Sequence, residues 1–463
     1  MIPPRARPII ERVRPVAERF EDAGHHLYLV GGAVRDLFVD VDGVEHEDLD
    51  LTTDATPEVV KGLLAPLADA LWTQGERFGT IGATIGGDDF EVTTHRAEVY
   101  DPESRKPQVA FRGTDLVTDL SRRDFTINAM ALEVTGDSPT LSDPFDGLGD
   151  LMARRLRTPL DPTVSFTDDP LRMMRAARFV ARFSLVPDEA LVSALEAGSQ
   201  RLGIVSPERV RDELCKLVVI EDPTDGLWFF NDHGLAEQVL PELPAMRVEQ
   251  DPIHRHKDVL THTVAVVRQS PPDLRVRLAA LFHDVGKPRT RAIGARGVSF
   301  HHHEVVGARM TRKRMKALHF ANDLTDDVTQ LVYLHLRMHT YQLGWTDSAV
   351  RRFVRDAGDL LEELLALTRA DCTTRNKRKA EALSRRIDEL EDRIAELAAA
   401  EELQRIRPDL NGNEVMEHLG IPGGPVVGEA LEHLLEVRLE QGPLTSEEAR
   451  AELDRWWEAR GGS

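Results

Sequence analysis

The sequence predicts an α+β head built on a small mixed sheet, followed by a remainder that is largely all α. Two observations carry this. In the first 150 residues, short runs with strand character (LYLV, DLDLTT, TIGATIGG, DDFEVTT) alternate with helical stretches; further on, apolar residues recur at helical steps of three and four. A chain of 463 residues is also too long for one core, since roughly 150 residues per domain implies three units or more. The expected division is a head over 1–150, a helical neck over 151–245, a histidine-rich helical domain over 246–375 and a helical tail over 376–463.

Composition narrows the function. The formal net charge of -21 opposes a nucleic-acid partner, because phosphate contacts need Lys and Arg, so any RNA surface must be a local basic stripe. Two cysteines, Cys215 and Cys372, give no disulfide framework. No apolar run approaches the ~18 residues of a membrane span, and the opening MIPPRARPIIERVRPVAERF mixes Glu11 and Glu18 into its charges, unlike a signal peptide. A cytoplasmic protein is the expectation.

Residues 1–26 form an amphipathic helix, with Val13, Val16, Ala17 and Phe20 on one face. An apolar run from Leu27 to Val30 then breaks into Gly31-Gly32 and a helix from Ala33, so backbone N–H groups can approach a phosphate closely. Asp48 and Asp50 are one residue apart in the next strand-like run, and a period of two puts both carboxylates on one face. Two hard oxygen ligands side by side suit Mg²⁺ beside substrate phosphates, the arrangement of nucleotidyl transfer. Pro57 starts a helix, and strand-like runs follow. Glu91 in the second of these is a candidate further carboxylate, set against the reading of an exposed strand residue. The polar stretch from Tyr100 to Gln108 reads as a loop.

Arg122, Arg123 and Asp124 precede the apolar run of RRDFTINAMAL, which puts a guanidinium beside the expected triphosphate site. Beyond 150, FTDDPLRMMRAARFVARF reads as one helix. At 100° per residue from Arg172, Asp169 falls at about 60° and Arg175, Arg178 and Arg182 at about 300°, 240° and 280°, so the arginines share a face. A carboxylate one turn from a guanidinium is a hydrogen-bond template. Asp169 accepts from the exocyclic amine of cytosine or adenine while Arg172 donates to the neighbouring ring acceptor; uracil and guanine present an oxygen instead, at a cost of ~1–3 kcal/mol or more. SPERVRDELCKLV follows with Ser206 at the N-cap and Pro207 at N1, and with Glu208, Arg209 and Glu213 placed to brace that helix.

GGAVRD with EDLD resembles the polymerase beta-like nucleotidyltransferase superfamily, in the tRNA CCA-adding branch found in bacteria and eukaryotes. RRDFTINAMA is similar to that family's second signature. Asp168-Asp169-Pro170-Leu171-Arg172 is similar to its Glu-Asp-x-x-Arg template motif, with Asp168 departing from the Glu. The resemblance assigns metal binding to Asp48 and Asp50, nucleotide contact to Gly32, Arg35, Arg123, Arg175 and Arg178, and base recognition to Asp169 and Arg172. Asn128 would orient the loop.

Ten of the 17 histidines fall between His254 and His339. Imidazole with carboxylate suits a transition metal better than Mg²⁺. The stretch resembles an HD phosphohydrolase domain, with His262, His283, Asp284 and Asp371 at its signature positions and His303 and His335 available for a second metal. Downstream, Leu383, Ile387, Leu390, Ile394 and Leu397 step by four and three, a seam for a packing helix within the chain.

The expectation is therefore template-independent addition of C, C and A to tRNA 3′ ends from CTP and ATP, with release of pyrophosphate. Poly(A) polymerase and partial CC- or A-adding enzymes share these motifs. A metal-dependent HD phosphohydrolase carrying an inert head is the alternative from another class.

Overall fold

The computed structural model describes residues 3–39, 48–99, 108–110, 114–136, 138–248, 258–294, 297–338, 345–372, 377–401 and 406–461; for residues 48, 97–99, 108–110, 377, 379, 380, 383 and 400 it describes the backbone alone. The polar loop expected from Tyr100 lies outside these residues apart from Gln108, as do His254, His256 and His339. The chain divides into two units, Met1–Pro241 and Glu242–Ser463. Among the described residues no helix is long and apolar enough to cross a membrane.

The first unit opens with α1 (Ala6–Asp22), β1 (Leu27–Val30), α2 (Gly32–Asp36), β2 (Asp48–Thr53), α3 (Pro57–Leu64), β3 (Ala70–Trp72), β4 (Thr80–Ile85), β5 (Asp88–Thr94), β6 (Ala97–Val99), β7 (Gln108–Ala110), α4 (Leu116–Ser121), β8 (Ala131–Glu133), β9 (Thr140–Ser142) and α5 (Gly147–Met152). Seven strands make one mixed sheet in the order β3-β4-β5-β2-β1-β8-β9. Only the β2–β5 pair is parallel; the other neighbours are antiparallel. The expected small mixed sheet is present.

Alternation decides which side of this sheet is wet. Leu49 is in register with Phe90, and Leu51 with Val92. All four are at most 1% exposed, and they pack with Val13, Val16 and Phe20 of α1 and Val60 and Leu64 of α3. Burying a phenylalanine of this kind contributes about 1.5–3 kcal/mol, so the apolar phase of the strands fixes the register. The intervening residues face the other way. Asp50 and Glu91, in register and exposed, lie on that second face.

The unit continues through β10 (Arg155–Leu156), α6 (Pro162–Asp168), α7 (Leu171–Phe183), β11 (Val186–Pro187), α8 (Glu189–Gly198), α9 (Pro207–Val218), α10 (Thr224–Asp232) and α11 (Leu235–Val239). One correction concerns the helix expected across FTDDPLRMMRAARF. It is broken at Asp169-Pro170 into α6 and α7, with Asp169 extended at φ -137°, ψ 100°. Proline disfavours the helical region for the residue before it and has no N–H to donate, so the continuous rod cannot pass residue 169. Asp169 therefore stands in a turn ahead of α7 rather than on its surface. A backbone bond from Arg172 N–H to Asp169 C=O at 3.0 Å still keeps the two residues adjacent.

The second unit is helical: α12 (Glu242–Ala245), α13 (Val259–Gln269), α14 (Leu274–Phe282), α15 (Lys287–Thr290), a hairpin of β12 (Ala292–Gly294) and β13 (Gly297–Ser299), then α16 (His303–Ala317), α17 (Asn322–Leu334), α18 (Asp347–Ala357), α19 (Leu361–Asp371), α20 (Lys377–Ala400), α21 (Gly412–Leu419), α22 (Pro425–Gln441) and α23 (Ser446–Ala459). In α20, Ile387 and Leu390 are fully buried and Leu397 nearly so, against α18 and α19. The seam packs inside the chain.

Candidate functional site

The Gly31-Gly32 turn is where the sheet's polar face meets its cations. Gly31 takes φ 72°, ψ -136° as it ends β1 and caps α2, a left-handed value that glycine reaches without strain. A side chain there would also have no room. Its Cβ would lie 3.3 Å from Nη1 of Arg123 and 3.8 Å from Oδ2 of Asp50. The cradle, the acid and the arginine singled out from sequence thus converge. Because α2 has only five residues its dipole is short, and Arg123 is the side-chain cation nearest the turn's Gly31.

Asp50 is exposed on β2 and pairs in register with Glu91 of β5, also exposed; Asp48 pairs with Asp89. For Asp48 the backbone alone is described. Neighbours in register share a face, so Glu91 stands beside Asp50 on the wet side of the sheet. That favours its reading as a third carboxylate over that of an incidental strand residue. The Asp89 carboxylate accepts from the Thr84 hydroxyl at 2.6 Å.

Behind these acids lies Asp119 on α4, fully buried. It accepts from Nη2 of Arg122 at 2.8 Å, lies 3.6 Å from Nη2 of Arg123, and also meets the Thr52 hydroxyl at 3.5 Å and the Arg96 N–H at 3.3 Å. Burial alone would raise its carboxyl, but Arg122 and Arg123 hold it below the usual value. Burial likewise lowers the Arg123 guanidinium, opposed by Asp119 and Asp50. The Arg123 Nε–H is buried without a hydrogen-bond partner. A guanidinium with a donor to spare beside an exposed carboxylate fits an anionic ligand and its cation. The sequence signal for Asp119 is its place three and four residues ahead of the two arginines, which follow directly on the end of α4, a spacing that brings the side chains together.

Arg35 sits differently from its neighbours. It is 5% exposed, donates from Nη1 to Asn128 Oδ1 at 2.6 Å and from Nε to Asp36 at 2.7 Å, and lies 4.3 Å over the Phe183 ring. Its guanidinium faces α7. Asn128 passes the chain on, donating to Asp124 at 3.0 Å. Asp124 in turn accepts from Nη2 of Arg175 at 2.6 Å, and Arg175 and Arg178 both reach Glu213 of α9, at 3.5 and 2.8 Å. Burial would raise Asp124; Arg175 and Asn128 overcome it and hold the carboxyl at about 2. Arg175 and Arg178 are therefore packed onto carboxylates, whereas Arg182 near the end of α7 is exposed over the Phe183 ring. Ser206 occupies the N-cap of α9, though its hydroxyl makes no cap bond.

Arg172 is 8% exposed, donates to the Ser165 hydroxyl at 2.7 Å, and bonds the carbonyl of Arg122. That contact puts it beside the backbone that leads into Arg123. The Asp169 carboxylate accepts the Leu171 N–H at 3.2 Å and Nη2 of Arg209 at 2.8 Å. Each carboxylate oxygen has two lone pairs, so Arg209 can share an oxygen with a base amine.

The second unit gathers the histidines. His262 stands on α13, His283 and Asp284 follow α14, His303 begins α16, His335 follows α17 and Asp371 ends α19. His262 Nε2 lies 2.8 Å from Asp371 Oδ1 and 3.2 Å from His283 Nε2; His283 Nε2 lies 3.1 Å from Asp284 Oδ2, and His303 Nε2 3.3 Å from Asp284 Oδ1. Gly286 makes room for this, since a Cβ there would lie 2.2 Å from the His303 carbonyl. Three rings share one device: Nδ1 of His283, His303 and His335 contacts the carbonyl three residues back (Ala280, Phe300, Val332) at 2.6–2.8 Å. With the proton on Nδ1, each Nε2 lone pair points inward, the second-sphere arrangement that metal-bound histidines use.

Asp284 Oδ1, His303 Nε2 and His335 Nε2 are buried without hydrogen-bond partners. Burial pushes the His335 imidazole down to about 3, keeping it neutral, while Asp284 stays ionised against burial beside His283 and Lys287. Two overlapping groups, His262-His283-Asp284 and Asp284-His303-His335, have the spacing to hold a metal ion. Lys287, whose Nζ lies 2.6 Å from Asp284 Oδ2, was not singled out from sequence, although it stands three residues after that aspartate.

Comparison with known proteins follows the same division. Residues 27–157 match the poly A polymerase head domain, 185–246 a probable RNA and SrmB-binding site of polymerase A, and 259–376 the HD domain. The chain is 36% identical over 456 residues to the A-adding tRNA nucleotidyltransferase of Deinococcus radiodurans, covering 94% of this chain and 96% of that protein. It is 38% identical over 229 residues to the CCA-adding enzyme of Lactobacillus helveticus, covering 49% of this chain and 55% of that enzyme. Among solved structures, the Bacillus stearothermophilus CCA-adding enzyme in complex with CTP matches with a TM-score of 0.68 at 23% identity, over 99% of both chains, a likeness of fold.

Proposed function

The chain belongs to the tRNA nucleotidyltransferase family, and on that premise we propose that it adds C, C and A to tRNA 3′ ends from CTP and ATP, releasing pyrophosphate, in the cytoplasm. The observation that carries this is the convergence of Gly31, Asp50 and Arg123 on the wet face of the sheet, with Arg172 bonded to the backbone of Arg122.

Asp48 and Asp50, with Glu91 alongside, would hold Mg²⁺, which when bound favours the ionised 3′ hydroxyl and offsets charge on the triphosphate. The Gly31-Gly32 backbone and Arg123 hold the phosphates, with Asp119 fixing the direction of Arg123. Asp169 and Arg172 read the base edge, and Arg175 and Arg178 keep α7 at the height where that edge arrives. Arg35 acts through Asn128. No covalent intermediate is needed; positioning and a preset electrostatic field suffice. In the second unit, His262, His283, Asp284 and Asp371 would hold a transition metal, with His303 and His335 completing a second position.

The full-length likeness to an A-adding enzyme supports a second product, a single terminal A. One assay separates them. Purified protein is given tRNA trimmed to the discriminator base, or tRNA ending in CC, with each labelled nucleotide. CCA addition extends both substrates, with C entering the first; an A-adding enzyme extends only the second. Incorporation of U or G as readily as C and A would overturn the base-reading assignment. Asp169→Ala should raise U incorporation relative to C by about tenfold or more.

A further inference from the structure

A strongly basic stretch interrupts this acidic chain. From Lys287 to Phe320 there are nine Lys and Arg against one carboxylate, Glu304, a formal charge of +8 inside a protein of -21. Elsewhere the arginines are mostly spoken for, as the excess of acids would dictate; Arg351 with Glu401 and Arg369 with Asp388 and Glu391 are typical. Here the pattern reverses. Arg312 and Arg314 do pair, with Asp326 and Glu242. Arg289, Arg309, Lys313 and Lys316 are exposed and make no ion pair among the described residues.

Helical spacing puts three of these on one line. Taking His303 as zero at 100° per residue, the buried Gly307, Thr311, Met315 and Ala308 of α16 fall between about 40° and 140°, and Lys316, Arg309 and Lys313 at about 220°, 240° and 280°. The cations therefore occupy an arc of about 60° directly opposite the core face, over a rise of about 10 Å. Arg289 lies on α15, which packs on the buried face of α16 where Gly286 meets His303 and Gly307. A row of exposed cations without partners among the described residues is free to take a polyanion, since like charges at this helical spacing cost only about 0.2–0.5 kcal/mol a pair. Its linear shape matches a phosphodiester backbone.

We infer that the exposed face of α16, with Arg309, Lys313 and Lys316, is an RNA-binding surface that takes the sugar-phosphate backbone of the tRNA. This rests on the tRNA reading proposed above. It assigns part of the affinity to the HD-bearing unit, on a surface distinct from the histidine cluster and from the nucleotide site.

The test compares the full-length protein with the triple variant Arg309→Ala, Lys313→Ala, Lys316→Ala in tRNA binding across a salt series. Each phosphate contact contributes roughly 0.7–0.9 to the slope of log K against log salt, so the slope should fall in magnitude by about 2. KM for tRNA should rise about tenfold or more, with KM for CTP unchanged. A control removing three paired arginines, Arg7, Arg393 and Arg455, should leave the slope as it is. Circular dichroism should show both variants folded, because the replaced side chains are exposed. An unchanged slope in the triple variant, or an equal fall in the control, overturns the inference. If the parent protein binds and extends tRNA while the triple variant matches it, this surface alone is refuted; if the parent neither binds nor extends tRNA, the functional reading fails with it.

Discussion

In the head, Asp50 and Glu91 stand on an open strand face with Gly31 and Arg123 beside them. In the second unit, His262, His283, Asp284, His303 and His335 are each under a tenth exposed, their rings enclosed by five helices. The first cluster is all oxygen and open; on the proposed function, an incoming triphosphate would complete the coordination of a hard ion there. The second is nearly complete by itself, with nitrogen lone pairs aimed at one another and tautomers set by backbone carbonyls. The difference teaches where each region's specificity resides. The head leaves its ligand set open and spends its structure on aiming arginines; the histidine cluster spends its structure on the ligand set.

The largest way to break that comparison is Asp50→Ala. It should lower nucleotide addition by about 10³-fold or more, since several kcal/mol of charge stabilisation go with it. The transition-metal content of the second unit, read by elemental analysis, should not change. If metal were lost from both regions together, the two clusters would not be independent. Next, His283→Ala should weaken transition-metal binding by at least about a hundredfold while tRNA extension stays within about threefold of the parent. Extension that failed along with metal content would give the histidine cluster a part in nucleotide addition.

The smallest effect sharpens the account of the head. Asp124→Asn removes a buried carboxylate held at about 2 against 3.8 for the unperturbed group. A depressed folded value means stability that is present above the unfolded pKa and lost as pH falls toward 2. The variant should therefore be about 2 kcal/mol less stable at pH 7, and the gap should close between about pH 4 and pH 2. Urea unfolding at pH 7 and pH 3 measures it. An equal deficit at both pH values would mean that packing, not charge, holds the residue.

Much of this was legible in the sequence because it is local. The Gly31-Gly32 break, the spacing of Asp48 and Asp50, and the seam through Ile387 and Leu390 each follow from a period or a turn. The bend at Pro170 was also local, yet the helical period of the flanking residues masked it. Other features depend on partners far away in the chain. Nothing near Arg35 announces that Phe183 will lie against it, and the pairing of Arg178 with Glu213 needs the fold to exist first. The basic face of α16 was hidden in a different way, diluted in a total charge that points to the opposite sign.

The bend at Pro170 has a last consequence. A reader carried on an uninterrupted rod would swing whenever the rod was retuned, since every change of packing turns all its side chains together. Placing Asp169 on a short elbow separates the two adjustments: the shaft can be bolted down by Asp124 and Glu213 while the tip keeps its own bearing. On the proposed reading, drift in the neck's interior would then disturb Arg172 on the shaft before it disturbed Asp169 on the elbow.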